Sequence, residues 1–144
     1  MEELQLVFEP FPEQGLANLI ERRLISHAVA ATGMTEGFPL GYVLKNARGE
    51  WMGGVVGFAW GDWLYIRLLW IAAAHRAHGN GTRLMDAAEQ FALDHGCQRA
   101  TVETHSYQAP GFYLKRGYEI FGQLDDYPPG HTKFYLRKTL RRSA

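Results

Sequence analysis

Ile71-Ala72-Ala73-Ala74-His75-Arg76-Ala77-His78-Gly79-Asn80-Gly81-Thr82 is the stretch on which the reading of this chain turns. Before it, Trp63–Ile71 reads as a strand. After it, Leu84, Met85, Ala88, Phe91, Ala92 and His95 mark one face of a helix that Gly96 stops. The segment therefore joins strand to helix, with Arg76-x-x-Gly79-x-Gly81 at the helix start. Glycines there let the backbone curl until successive N–H groups face one concavity. The helix N-terminus adds unpaired donors and the positive end of its dipole, so a pyrophosphate suits the place. Two familiar phosphate loops do not fit. A Walker-type loop needs Lys directly after its second Gly, whereas here Arg83 lies two residues beyond Gly81; a dinucleotide fingerprint needs a third Gly where Leu84 stands. Taken alone, the motif is equally a Gly-rich helix cap that binds nothing.

Around this stretch the pattern changes period. Leu4–Glu9 alternates weakly and reads as a first strand. Pro12-Glu13 then opens a helix carrying Leu16, Leu19, Ile20, Leu24, Ala28 and Ala31, with Gly33 as its stop. Leu40–Lys45, Met52–Trp60 and Trp63–Ile71 form a meander, its second hairpin turning on Gly61-Asp62. Gly53, Gly54 and Gly57 inside a strand suggest a bulge or a close backbone approach. Past the long helix come a strand at Ala100–Thr104, a short helix at Pro110–Arg116, and strands at Tyr118–Leu124 and Thr132–Lys138. The order β-α-β-β-β-α-β-α-β-β predicts a single mixed α/β (α+β) domain spanning residues 1–144, with helices on a largely antiparallel sheet.

Composition narrows the function classes. The chain has 144 residues, 15 Lys+Arg against 15 Asp+Glu, and a formal net charge of zero. That balance removes the bulk electrostatic case for nucleic acid, which needs a basic excess to displace counterions. A single cysteine, Cys97, can build neither an internal disulfide nor a multi-thiolate zinc site, so no metal is expected. No basic, apolar leader is readable at Met1-Glu2-Glu3, and the apolar run Leu64–Ala74 is interrupted by Arg67. That run is also far short of the ~20 residues a membrane span requires. A cytoplasmic protein without a membrane partner is expected. The basic tail from Arg137-Lys138 to Arg141-Arg142 is too short to serve as a nucleic-acid arm.

A second motif follows at Ala109-Pro110-Gly111-Phe112-Tyr113-Leu114-Lys115-Arg116-Gly117-Tyr118. With Arg76-x-x-Gly79-x-Gly81 and the element order, it resembles the GNAT superfamily of N-acetyltransferases. The family's cofactor loop reads Arg/Gln-x-x-Gly-x-Gly/Ala. Its later helix reads Asn-x-x-Ala-x-x-x-Tyr-x-x-x-Gly-Phe/Tyr, matched here by Ala109, Tyr113, Gly117 and Tyr118, with Ser106 in the place of Asn. The resemblance covers nearly the whole chain, and residues 63–118 are its specific part.

The resemblance implies a fold and a chemistry. Trp63–Ile71 and Ala100–Thr104 should run parallel and splay apart, the pantetheine arm of acetyl-CoA entering the gap like an extra strand. Leu69, Trp70 and Ile71 would line that gap, an N–H near Leu69 or Trp70 polarising the thioester carbonyl. Arg76, Ala77, His78, Gly79, Asn80, Gly81 and Thr82 would hold the pyrophosphate, and Ser106 would take the place of the family's asparagine contact. A neutral primary amine then attacks the acetyl carbon directly. Tyr113 is the expected acid for the leaving thiolate, and Glu103 or His105 the expected base. Asp126, Tyr127 and His131, on the loop before the last strand, are the expected acceptor contacts. A small-molecule or peptide amine is the implied partner, with a homodimer as a further expectation. A non-catalytic acyl-CoA sensor, or acyl transfer to another nucleophile, is the alternative on the same scaffold.

Overall fold

The computed structural model describes residues 1–141; Arg142, the last residue of the basic tail, lies outside them. Two compact units are present, Met1–Glu36 and Gly37–Ala144. In the first, Leu4–Glu9 forms no strand, contrary to the sequence expectation. Alternation says which face a strand would bury, but a strand also needs a ladder partner, and these residues form no ladder. The helix also starts later than expected. Pro12 begins a turn, Gly15 takes φ 131°, and helix α1 runs Leu16–Thr32. Gly33 closes α1 in the left-handed conformation, its N–H donating to Val29 O at 2.9 Å.

The second unit is a six-stranded mixed sheet ordered β1-β2-β3-β4-β6-β5. Its strands are β1 Phe38–Lys45, β2 Trp51–Trp60, β3 Trp63–Ile71, β4 Arg99–His105, β5 Glu119–Asp125 and β6 Thr132–Thr139. Helix α2, Asn80–Asp94, follows a 3-10 turn at Ala73–His75, and helix α3 spans Pro110–Lys115. All neighbouring strands are antiparallel except β3 and β4. The β2–β3 hairpin closes on Gly61 at φ 58°, with Trp60 opposite Trp63, so these two tryptophans flank a turn.

The core lies between α2 and one face of this sheet. Leu84, Met85, Ala88 and Ala92 of α2 are fully buried against Val55, Leu64, Ile66, Ala100, Val102 and Leu136. Burying each large aliphatic side chain contributes roughly 1.5–3 kcal/mol. One side chain on the buried face of α2 is charged. Glu89 Oε2 accepts from Arg116 Nη2 and Tyr118 OH at 3.0 Å each, and Glu89 Oε1 from Lys138 Nζ at 2.7 Å. Cys97 is buried in the same core, as its small apolar character predicts.

Candidate active site

Strands β3 and β4 pair over only part of their length. Trp63–Ile66 lies beside Arg99–Val102, and there the parallel ladder stops. Beyond it, the strand partner of Leu68–Ile71 is β2 alone, and that of Glu103–His105 is β6 alone. In an antiparallel ladder every second residue turns its N–H and C=O away from the partner. Past Ile66, those groups on β3 face a gap whose far side is β4, where Gln108 takes up the N–H and C=O of His105 at the strand end. An extended chain could add there as a strand.

A bulge shapes this gap. Val56 sits opposite Leu68 but Gly57 opposite Ile66, leaving Arg67 as the extra residue. The backbones approach so closely that a Cβ on Gly57 would lie 2.7 Å from Tyr65 O. Adding one residue reverses the pleat. Leu64 and Ile66 point into the core before the bulge, whereas Leu69 and Ile71 do so after it, and Leu68 and Trp70 turn outward.

The loop after β3 is tied into an open curl. Arg76 Nε donates to Ile71 O at 2.9 Å, and Asn80 Nδ2 to His75 O at 2.9 Å. Ala77 has φ 61° and Gly79 φ 80°. A left-handed alanine is strained, and such strain concentrates at functional sites. No side chain caps the first turn of α2. The two glycines serve different ends. Gly79 supplies the left-handed cap, whereas Gly81 makes room for α3, since a Cβ there would meet the Phe112 ring at 3.2 Å. A cavity of about 260 Å³ beside this loop is lined by Lys45, His75, Asn80 and Arg83 among others.

Tyr113 projects from α3 into the core, 5% exposed, its ring edge-on to Phe112 at 5.2 Å and to Tyr118 at 5.7 Å. Burial pushes its phenol up to about 12, partly offset by the Arg116 charge. Burial, then the Glu89 carboxylate, raises Tyr118 further. At the end of β4, His105 stacks with two rings, Tyr107 at 5.0 Å and Tyr127 at 5.8 Å. Tyr107 also meets His131 edge-on at 5.1 Å. Ser106 Oγ accepts from Thr132 N–H at 3.0 Å and lies 3.2 Å from His131 Nδ1. Lys133 Nζ donates to Glu103 Oε2 at 3.2 Å while sitting 5.1 Å from the Tyr127 ring centre, and the bond to Glu103 raises its pKa.

A model of the acetyltransferase (GNAT) family matches residues 4–118. The chain belongs to this family. It is an N-acetyltransferase in the GNAT sense, and both curated relatives carry acetyltransferase names. The blasticidin-S acetyltransferase of Streptomyces morookaense is 41% identical over 124 residues, covering 83% of this chain and 91% of its own. The crystal structure of an acetyltransferase from Bacillus cereus superposes with a TM-score of 0.79 at 27% identity, covering 96% of this chain and 98% of its own. An aminoglycoside 6'-N-acetyltransferase complexed with coenzyme A shares the fold, with a TM-score of 0.64 at 16% identity over 94% of each chain.

Within this GNAT frame the expected residues fall into three groups. Leu69, Trp70 and Ile71 lie past the fork on β3, and Arg76 to Thr82 form the strained loop and the uncapped start of α2. His105, Ser106, Tyr127 and His131 gather at the end of β4, with Glu103 beside them but engaged by Lys133. Asp126 stands apart in its own turn: it has φ 54°, and Gly130 N–H donates to its Oδ1 at 3.3 Å. One participant has no signal in the sequence. Gln108 reaches back to His105, a contact that depends on the turn between them and that no motif announces. Among the described residues no group of acidic, histidine or cysteine side chains is arranged to hold a metal ion, and no helix is long and apolar enough to cross a membrane.

Proposed function

We propose that this GNAT enzyme transfers the acetyl group of acetyl-CoA to a primary amine of a small molecule by direct attack. The observation that carries this reading is the unpaired fork leading straight into the strained loop before α2. The pantetheine amides would bond to the free edge of β3 at Leu69, Trp70 and Ile71, and the pyrophosphate to backbone N–H groups from Arg76 to Thr82. Basic side chains of the neighbouring cavity suit the remaining phosphate. Backbone donors aimed at a developing oxyanion are worth ~2.7–4 kcal/mol each in other enzymes.

The nitrogen–carbon bond forms as the carbon–sulfur bond breaks. The surplus proton on nitrogen passes to His105, which is stacked and makes no ion pair among the described residues, in preference to Glu103, which Lys133 neutralises. Sulfur leaves as thiolate. Tyr113, the only expected donor on α3, has no hydrogen-bond acceptor for its hydroxyl among the described residues, which leaves it free for the sulfur. A phenol held near 12 transfers its proton uphill to a thiolate of ordinary pKa ~8.5, so it acts mainly as a hydrogen-bond donor. Ser106, Asp126, Tyr127 and His131 would border the cofactor and acceptor. The name of the Streptomyces relative supports an antibiotic amine as acceptor.

The test is coenzyme A thiol release across a panel of amines that includes blasticidin S. Tyr113→Phe should lower kcat about 10- to 1,000-fold with the KM for acetyl-CoA little changed. An unchanged kcat would remove Tyr113 from the mechanism. Tight acetyl-CoA binding with no turnover of any amine would overturn the choice of nucleophile.

A further inference from the structure

We propose that Gln108 is a positioning residue that fixes the tautomer of His105, placing the ring proton on Nδ1 and leaving Nε2 as the only basic nitrogen. The proposal rests on the reading of His105 as the base and says how that base is prepared. Gln108 closes the turn after β4, its own N–H donating to His105 O at 2.9 Å. Its side chain folds back over the same turn. Gln108 Oε1 lies 2.8 Å from His105 N, 3.1 Å from His105 Nδ1 and 3.4 Å from Thr104 Oγ1.

The chemistry of these three neighbours decides the proton. A backbone N–H can only donate, so the amide atom 2.8 Å from His105 N must be the oxygen of Gln108 and not its nitrogen. An amide oxygen can only accept. His105 Nδ1, in contact with that same oxygen, therefore carries a hydrogen. In a neutral imidazole one nitrogen donates and the other accepts, so the lone pair sits on Nε2.

The ring is held in orientation as well. Tyr107 covers one stacking contact at an interplanar angle of 22° and Tyr127 another at 24°. The groups around it are these two phenols, His131 against Tyr107, and the Glu103–Lys133 pair, with Lys133 over Tyr127. With Nδ1 occupied and the ring stacked, only the Nε2 edge can meet an acceptor amine. As the amide bond forms and the thiolate departs, the ammonium proton passes to Nε2. The imidazolium keeps its Nδ1–H on Gln108 and later releases the Nε2 proton to water.

Three variants of the full chain and one spectroscopic readout test this. Nitrogen-15 NMR, with the His105 signals assigned by their loss in His105→Gln, should show neutral wild-type His105 protonated on Nδ1. Gln108→Leu should mix the tautomers and lower kcat at least about tenfold while leaving the KM for acetyl-CoA within about twofold. Gln108→Glu keeps an acceptor oxygen in place. It should preserve the tautomer and move the acid limb of the kcat/KM profile to higher pH, because a carboxylate favours the imidazolium. A wild-type His105 protonated on Nε2 overturns the proposal whatever the kinetics, and so does an unchanged tautomer and kcat in Gln108→Leu. Unaffected turnover in His105→Gln refutes the base assignment instead, and the NMR result then still judges Gln108 on its own.

Discussion

Glu89 shows how far a single side chain can depart from its periodic neighbours. Helical spacing marks Leu84, Met85, Ala88, Phe91, Ala92 and His95 as one face, yet Phe91 is only partly buried and stacks on His95 at 4.1 Å. Glu89 takes a place in the interior because Arg116, Tyr118 and Lys138, distant in sequence, converge on it. Periodicity cannot see donors that only the tertiary fold delivers. Tyr113 was legible for the opposite reason, since its spacing from Ala109 and Gly117 is local. Its environment makes a prediction about pH. The folded state holds the Tyr113 proton more tightly than the unfolded chain, about 12 against an ordinary value of ~10. That contribution is intact below about pH 10 and is lost as pH climbs through about 12. It amounts to about 2–3 kcal/mol for Tyr113, and Tyr118 adds a loss of the same sign. Urea midpoints followed from about pH 8 upward should fall steeply above pH 10. Tyr113→Phe should flatten the decline; an equally steep fall in that variant would place the titrating group elsewhere.

Among the elements, β3 carries the most consequence. Its ends, Trp63 and Ile71, are where the sequence pattern places them, and the glycines of β2 signal an irregular neighbour. The position of the bulge was not legible. It arises from a mismatch between two strands, fixed by the contact of Gly57 with Tyr65 O. The false strand at Leu4–Glu9 has the same origin, because pairing is a property of two segments and alternation of one. Gly57→Ala must displace the β3 backbone, and overpacking of this kind costs about 1–3 kcal/mol. Because the displaced segment continues into the fork, acetyl-CoA affinity should weaken along with stability. A calorimetric titration in which Gly57→Ala binds like wild type would separate the bulge from the cofactor site. The loop after β3 stands out in the sequence as a candidate anion cradle, but the packing role of Gly81 does not: its closeness to Phe112 joins the two sequence motifs in space.

For the molecule as a whole, a net charge of zero coexists with a strongly anionic cofactor. Backbone N–H groups at the start of α2 can meet phosphate without any excess of Lys and Arg. Occupancy should therefore register in global stability. At acetyl-CoA concentrations of 100 Kd the fold gains ~2.7 kcal/mol, and thermal denaturation should shift upward by about 5–10 °C. No shift at millimolar acetyl-CoA would contradict the cofactor assignment. The short β3–β4 ladder adds something that no binding constant conveys. The ladder of Trp63–Ile66 with Arg99–Val102, continued by the bonds of Asp62 to Gln98 and Arg99, stitches the wing made of β1, β2 and β3 to the wing made of β4, β6 and β5. The seam is a few rungs long, and on the proposed binding mode the rungs that lengthen it would come from a molecule the enzyme must give up in every cycle. Turnover would then alternate between a sheet with its keystone in place and one without it, and release of coenzyme A would be an unzipping as much as a dissociation.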